Sequence, residues 1–200
     1  ALAVYGKNGT GKTTLAKLLV GLLEPRRGSI LADNVTIQQL AAPWWRNQIV
    51  YMPQEPTFIN ATIRENLLLM NPDLGDAQLN NVLRISDLKT FLDQTPDGLD
   101  TQVTDNGKNL PLGIRRRLSL ARGLVTDGKL VVLDEPTDAM DEQGVLAVYN
   151  IMNHLIKSQK TIIVFSNDPK ILKGAAMILN LNVKPKPELK LLPVQAGEGI

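Results

Sequence analysis

The sequence feature that most constrains the fold is the segment Gly6-Lys-Asn-Gly-Thr-Gly-Lys-Thr13, which matches the pattern G-x-x-x-x-G-K-[ST] in full. Its glycines allow successive backbone N–H groups to turn inward, because no Cβ atoms collide there. The apolar run Leu2–Tyr5 before it predicts a buried strand, and the leucines within Lys12–Leu23 recur at helical spacing. A glycine-rich loop between a strand and a helix N-terminus favours anions, so the segment predicts a phosphate site.

The side chains of this loop indicate which phosphate compound it binds. Lys12 can place its ammonium on the β- and γ-phosphates of a nucleotide, and the Thr13 hydroxyl can ligate Mg²⁺. A glycine-rich turn that merely caps an ordinary helix is the alternative, and the strand and amphipathic helix on either side disfavour it. We therefore predict a nucleotide bound with Mg²⁺ and contacted by Gly6, Lys7, Asn8, Gly9, Thr10, Gly11, Lys12, Thr13 and Thr14. The loop alone fits motors, kinases, GTPases and helicases as well.

A second feature is the acidic pair that ends the apolar run Leu130-Val-Val-Leu-Asp134-Glu135. A buried parallel strand that ends in carboxylates delivers them to the carboxyl edge of the sheet, where the phosphate loop also lies. Asp134 is predicted to hold the magnesium ion together with Thr13. Glu135 is predicted to polarise the water that attacks the γ-phosphate, a task that requires a nearby carboxylate.

The alternation of strand and helix patterns along the chain predicts an α/β protein with a parallel sheet, interrupted by a helical insert. We predict a core formed by residues 1–54 and 127–183, a helical subdomain at 55–126, and a C-terminal edge or tail at 184–200. The expected strands are Leu2–Tyr5, Gly28–Leu31, Ile49–Met52, Leu130–Leu133, Thr161–Phe165 and Ala175–Leu179. The expected helices are Lys12–Leu23, Thr62–Met70, Ser86–Leu92, Leu112–Val125 and Val145–Lys157, with Asp73, Asp76 and Asp87 as loop or cap residues.

Composition excludes several classes of function. The absence of cysteine excludes disulfides, thiolate metal sites and cysteine nucleophiles. The net charge of +2 has no accompanying basic–aromatic stripe, so we expect no nucleic-acid partner. No apolar run approaches the roughly 18 residues of a membrane-spanning helix. Ala1 already lies inside a strand-like run, from which we expect the natural protein to begin further upstream.

Further segments narrow the family. They are Tyr51-Met-Pro-Gln54, Asn60–Leu67, Asp100–Gly107, Leu118–Leu124 before the acidic strand, and Glu135–Asp141 after it. In this order they resemble the ABC ATPases, and specifically the exporter branch, from Ala1 to about Leu179. The resemblance implies the P-loop NTPase core with an inserted helical subdomain. It also implies that Gln54 contacts Mg²⁺ and communicates with a membrane domain.

The same resemblance implies partners and a location. ABC domains act in head-to-tail pairs, in which ATP lies between one phosphate loop and the signature motif of the other domain. The implied partners are therefore a second nucleotide-binding domain, identical or not, and a transmembrane transporter domain outside this chain. The domain would lie at the cytoplasmic face of the cell membrane, held there by that transmembrane domain.

Several positions depart from the family pattern. The signature motif, normally Leu-Ser-Gly-Gly-Gln, reads Leu110-Pro-Leu-Gly-Ile114 in this chain, so proline replaces the serine that would donate to the γ-phosphate. Asn167 stands where relatives have the switch histidine, and is our candidate for the residue that contacts the γ-phosphate there. Asp138 replaces a usual serine. We expect ATP to bind well and to be hydrolysed slowly unless a partner with an intact signature assists.

Two other functions stay open. One is a soluble ABC ATPase of DNA repair or translation, which the exporter-like segments Thr62–Asn66 and Thr101–Gly107 oppose. The other is a regulatory nucleotide-binding module without turnover, which the altered signature favours and Glu135 opposes. The basic run Arg115–Arg117 is predicted to be a solvated, salt-bridged helix face.

Overall fold

The structure, a computed structural model, describes residues 1–192. Its strands are β1 (Leu2–Tyr5), β2 (Leu31–Ala32), β3 (Val35–Thr36), β4 (Ile49–Met52), β5 (Ala61–Thr62), β6 (Gln102–Val103), β7 (Leu130–Asp134), β8 (Thr161–Phe165), β9 (Met177–Asn180) and β10 (Glu188–Leu191). Its α-helices are α1 (Lys12–Leu19), α2 (Ala42–Asn47), α3 (Ile63–Leu68), α4 (Asp76–Ile85), α5 (Lys89–Gln94), α6 (Leu112–Leu124), α7 (Glu142–Lys157) and α8 (Pro169–Gly174). Short 3₁₀ turns lie at Ile37–Gln39, Gly98–Asp100 and Asp105–Gly107.

The main sheet has the strand order β10-β9-β1-β8-β7-β4. All neighbouring pairs in it are parallel except β10 with β9. Parallel strands end at the same edge of a sheet, so the segments that follow β1, β4, β7, β8 and β9 gather there. The predicted α/β class with a parallel sheet is confirmed.

Both faces of this sheet are covered, which explains why its strands are continuous apolar runs rather than alternating ones. Along β7, Val131 and Leu133 pack into one core cluster, whereas Val132 between them packs into the other. The first cluster also contains residues of α3, α4, α6 and α7. The second contains Ala16 of α1 and Trp45 of α2. The sheet is therefore the middle layer, and α1 lies on the face opposite the helices of the insert.

The helical segment between β4 and β7 packs directly on the sheet. Gly123 of α6 lies so close to β4 that a Cβ atom there would be 2.8 Å from Cγ1 of Val50. Within the segment, Thr62 caps α3 by accepting a hydrogen bond from the backbone N–H of Glu65. The strands β5 and β6 pair in an antiparallel arrangement beside it. The predicted subdomain boundaries at residues 55 and 126 stay a prediction, because the segment and the sheet share one apolar cluster.

Four element predictions were wrong in detail. The first helix ends at Leu19 rather than Leu23, because Gly21 adopts φ 75° and reverses the chain. The expected helix Ser86–Leu92 begins only at Lys89, as α5, because Asp87 has φ 53° and the chain turns there between α4 and α5. The helix α4 was missed, and Asp76 lies in its first turn. The run Gly28–Leu31 contributes only Leu31 to a strand.

The end of the described chain forms the edge of the sheet. Within residues 1–192, the strand β10 pairs with β9 only, and all four of its residues are exposed. The predicted edge or tail at 184–200 stays a prediction: β10 lies within this range, and residues 193–200 lie outside the described residues. Within residues 1–192, no helix combines the length and apolar character that crossing a membrane requires.

Candidate phosphate-binding and catalytic site

The loop between β1 and α1 has the backbone of an anion cradle. Gly9 and Gly11 adopt φ 80° and 97°, a left-handed region that favours glycine. A Cβ at either position would meet nothing within 4 Å, so backbone conformation rather than space requires these glycines. Thr10 closes the turn through its N–H and its hydroxyl, both of which donate to the carbonyl of Lys7. The N-cap residue of α1 is Gly11, which has no side chain to cap the helix, so the first N–H groups of α1 are available to an anion.

Lys12 lies inside this loop rather than in solvent, with only 8% of its surface exposed. Its ammonium donates to the carbonyl of Gly6 at 2.6 Å and forms an ion pair with Oε1 of Glu135 at 3.2 Å. The Lys12 ammonium therefore lies between the backbone of Gly6, where the loop begins, and Glu135, the predicted catalytic base. A phosphate entering the loop would share this ammonium with Glu135.

Asp134 ends β7 with a fully buried side chain. Neither carboxylate oxygen has a hydrogen-bond partner of normal geometry among residues 1–192. Burial raises the pKa of this carboxyl group, and the opposing effects of the Thr13 hydroxyl, Lys12, Lys17 and Arg116 are smaller. A buried carboxylate without a partner is costly, and a hard cation with oxygen ligands would remove that cost. Asp134 and Thr13 therefore fit a magnesium ion.

Glu135 is held in an uncommon backbone conformation next to Lys12. Its φ is 48°, in the left-handed region, and its N–H donates to the carbonyl of Phe165 in β8 at 2.8 Å. Such conformations cost free energy and persist only where the surroundings fix them. Burial raises the pKa of Glu135, while the hydrogen bond and charge of Lys12 lower it. The carboxylate is thereby fixed beside the loop rather than directed into solvent.

Gln54 follows β4 and lies beside the segment that follows β7. Its amide nitrogen donates to Oδ2 of Asp138 at 3.3 Å. Because β4 and β7 are neighbours, with Met52 opposite Leu133, both segments leave the sheet at the same edge. Gln54 is thus near the predicted site, and its observed partner is Asp138. Its role as a magnesium ligand stays a prediction.

Asn167 follows β8 and contacts the phosphate loop directly. Its Oδ1 accepts a hydrogen bond from the backbone N–H of Gly6 at 3.2 Å. The next N–H of the loop, that of Lys7, donates to Oδ1 of Asn182 after β9 at 2.9 Å. Two asparagines, which follow the strands on either side of β1, therefore fix the start of the loop. The predicted contact of Asn167 with a γ-phosphate remains untested.

The altered signature lies at the start of α6. Pro111 is the N-cap residue of the helix and provides no side-chain hydrogen bond to it. Pro111 is exposed, whereas Ile114 is buried in the main core cluster. The residue that replaces the family glutamine therefore packs inward.

Two features of the site were not recognised in the sequence. Arg116, within the basic run predicted to be solvated, is 1% exposed, so that prediction was wrong for this residue. It shares a helix face with Leu120 and Gly123, four and seven positions later, and this spacing was a usable signal of burial. Asn182 lies in a turn after β9 with no pattern that marks it.

Comparison with known proteins finds relatives of one kind, namely transporters and permeases. The family model described as "ABC transporter" matches residues 1–138. The chain is 34% identical over 164 residues to P-glycoprotein 14 of Caenorhabditis elegans, covering 82% of this chain and 12% of that protein. It is 33% identical over 186 residues to the ATP-dependent permease MDL1 of Candida albicans, covering 90% and 27%.

The fold has a close counterpart among solved structures. A bacterial Atm1-family ABC exporter with ATP bound superposes with a TM-score of 0.82 at 27% identity, over 90% of this chain and 32% of that one. The chain thus spans about a third or less of the length of these relatives. On its fold, its phosphate loop and the match of its sequence, this chain belongs to the ABC transporter family and is a nucleotide-binding domain of the exporter type.

Proposed function

We propose that this domain binds Mg·ATP, hydrolyses it with Glu135 as the base, and thereby drives a transmembrane exporter domain. The observation that carries the proposal is the cluster of Lys12, Asp134 and Glu135 at the mouth of the phosphate loop. Lys12 is paired with Glu135, and the buried carboxylate of Asp134 beside them has no partner of normal geometry in the described part of the chain. These groups suit the charges of a nucleotide triphosphate and a divalent cation.

The chain's own groups divide the chemistry between them. The backbone N–H groups of residues 6–14 and the Lys12 ammonium hold the phosphates. Asp134, with the Thr13 hydroxyl and Gln54, would hold Mg²⁺, which when bound supplies positive charge to the phosphate oxygens. Glu135 orients the attacking water and accepts its proton.

The Lys12–Glu135 ion pair suggests how the site changes when a nucleotide binds. Before nucleotide binds, the two groups neutralise each other, which limits the cost of keeping both partly buried. When phosphate oxygens approach, the ammonium divides its hydrogen bonds between them and Glu135. The carboxylate then stands next to the γ-phosphate without having moved from its fixed backbone position.

The relatives suggest what the whole protein does. One is named a permease and another an exporter with ATP bound, and both are much longer than this chain. We propose that this domain pairs with a second nucleotide-binding domain, identical or not, beneath a transmembrane domain at the cytoplasmic face of a membrane. The region of Gln54 would communicate with that transmembrane domain.

One observation favours a second function, a nucleotide-binding half that turns over slowly. The N-cap of α6 is Pro111, which offers no hydroxyl or N–H to a phosphate across the domain pair. The soluble ABC ATPases are less favoured, because the relatives reported above are a P-glycoprotein, a permease and an exporter.

The Lys12→Ala variant tests the phosphate loop. The lost charge-assisted contacts are worth about 1.5–3 kcal/mol, so affinity for Mg·ATP should fall by about tenfold or more in calorimetry. Lys157→Ala, which removes the same charge from the exposed end of α7, serves as control and should leave affinity unchanged. Equal affinity in the Lys12 variant and the parent would refute the assignment of the loop.

The Glu135→Gln variant tests the base. It preserves shape but removes the proton acceptor, so steady-state hydrolysis should fall by about a hundredfold or more. Binding of ATP should persist or tighten, because the ammonium of Lys12 loses its ionised competitor. Glu142→Gln on the exposed first turn of α7 is the matched control. A Glu135 variant as fast as its parent means that the carboxylate has another role.

The double variant Pro111→Ser, Leu112→Gly tests the slow-turnover proposal. In a pair of identical domains both ATP molecules face the altered signature, and one preorganised donor is worth about a hundredfold in rate. Ile114 is left in place, because it is buried and a glutamine there would perturb the core. Hydrolysis by the identical pair should rise at least about tenfold. The gain should vanish when Glu135→Gln is added.

The same proposal predicts that a partner domain with an intact signature accelerates hydrolysis by the unmodified chain. Steady-state rates measured with and without candidate partners check this. Fast hydrolysis by the unmodified identical pair, with no gain from the double variant, contradicts the proposal.

A further inference from the structure

Arg116 is an unusual residue for its position. It lies in the second turn of α6, directly after the altered signature, and is among the largest side chains that the structure buries completely. Among residues 1–192, no carboxylate forms an ion pair with it. Its neighbour Arg117, by contrast, pairs at the surface with Asp87 at 2.8 Å.

The Arg116 guanidinium bridges two loops of the active-site edge. Nε and Nη2 donate to the backbone carbonyl of Gln54 at 3.3 and 3.2 Å, and Nη1 donates to the backbone carbonyl of Asp138. The Gln54 side chain and the Asp138 carboxylate form a further contact between the same loops. One side chain thus connects the segment after β4, the segment after β7 and the helix that begins at the signature.

A contribution to the stability of the fold does not explain why a charged side chain, that of Arg116, occupies this buried position. Desolvating a guanidinium is costly, and a well-packed apolar side chain of similar volume is often no less stable. The electrostatic influence of Asp138, Glu135 and Asp134 on Arg116 offsets part of that cost. An apolar side chain cannot donate hydrogen bonds, whereas the rigid, planar guanidinium donates to two carbonyl oxygens in fixed directions.

We propose that Arg116 is a positioning residue that holds Gln54 and the Glu135–Asp138 segment in register and makes their position depend on the signature helix. A helix moves as a rigid unit over a few turns, so displacement of residues 110–114 by a partner domain also displaces the Arg116 fork. The two loops that Arg116 holds would follow. The inference rests on the proposed function, because it concerns the loops that carry the proposed magnesium and water contacts.

The test compares Arg116→Met with Arg117→Met. Both remove one positive charge from the same helix, but only Arg116 reaches the two loops. The first readout is the Mg²⁺ factor, which we define as the Kd for ATP measured in EDTA divided by the Kd for ATP measured in MgCl₂, both by calorimetry. Loss of a residue that orients metal ligands typically costs about tenfold or more in metal affinity, so this factor should fall about tenfold in Arg116→Met. Affinity for ATP without Mg²⁺ should stay within about twofold, because the phosphate loop is intact.

The second readout is kinetic. Misplacing the water-orienting segment should lower kcat by about tenfold or more, with KM changed much less. Arg117→Met should retain both the Mg²⁺ factor and kcat, although it loses the ion pair with Asp87. An Arg116→Met protein that only melts at lower temperature, with an unchanged Mg²⁺ factor and kcat, overturns the proposal in favour of a structural role.

A third variant keeps the proposal testable if the Arg116→Met protein does not fold. Arg116→Lys keeps the charge but lacks the fork, so we expect a folded protein with a reduced Mg²⁺ factor and kcat. Parental values in Arg116→Lys would overturn the proposal. If the parent protein binds Mg·ATP without hydrolysing it, the proposed hydrolysis is wrong. The Mg²⁺ factor still tests the role of Arg116 in that case, because it needs only binding. A parent that does not bind ATP refutes both.

Discussion

The carboxylate of Asp134 is the constraint on which the rest of the site depends. It ends a central strand, is fully buried, and has no hydrogen-bond partner of normal geometry among the described residues. Burial raises its pKa more than three nearby cations and the Thr13 hydroxyl lower it, so in the free domain the charged form is destabilising. A parallel sheet with both faces covered supplies the rigid frame that can sustain this cost. The proposed magnesium ion would offset this cost.

The surrounding contacts prepare the site within one chain. Lys12 is already paired with the proposed base, and the loop is anchored by side chains that follow β8 and β9. The signature segment, in contrast, ends in a helix capped by proline and offers no donor from that side chain. The groups proposed to hold a nucleotide are therefore in place within this chain, whereas its signature segment lacks the serine hydroxyl of the family pattern. Arg116 connects these two parts, since it follows the signature and contacts both loops.

The sequence was sufficient to predict the parallel α/β class, because the phosphate loop, the acidic pair and the apolar strands are encoded in local patterns. It also indicated one sheet edge for Gln54, Asp134, Glu135 and Asn167, since each of them ends a strand or comes shortly after one. It marked Asp87 as a loop or cap residue, but the predicted helix Ser86–Leu92 ran through the turn there, and the helix before the turn, α4, was not predicted. Aspartate is among the residues enriched at positive φ, but only a minority of aspartates adopt it, so the residue type alone did not place the turn. Arg116 was missed for a different reason: a charge in a basic run is normally solvated, and this one is buried by contacts with two loops that are distant in the sequence.

The central claim is that the unpartnered Asp134 carboxylate exists for a magnesium ion bound with ATP. The most direct test is thermal unfolding of Asp134→Asn without metal or nucleotide, together with Mg²⁺-dependent ATP binding. Removing a buried, unpartnered charge should stabilise the free protein by about 1 kcal/mol or more, a rise in Tm of about 2–4 °C for a domain of this size. The tightening of ATP binding by Mg²⁺ should disappear. A lower Tm with the Mg²⁺ effect intact would show that Asp134 is a structural residue and would contradict the account.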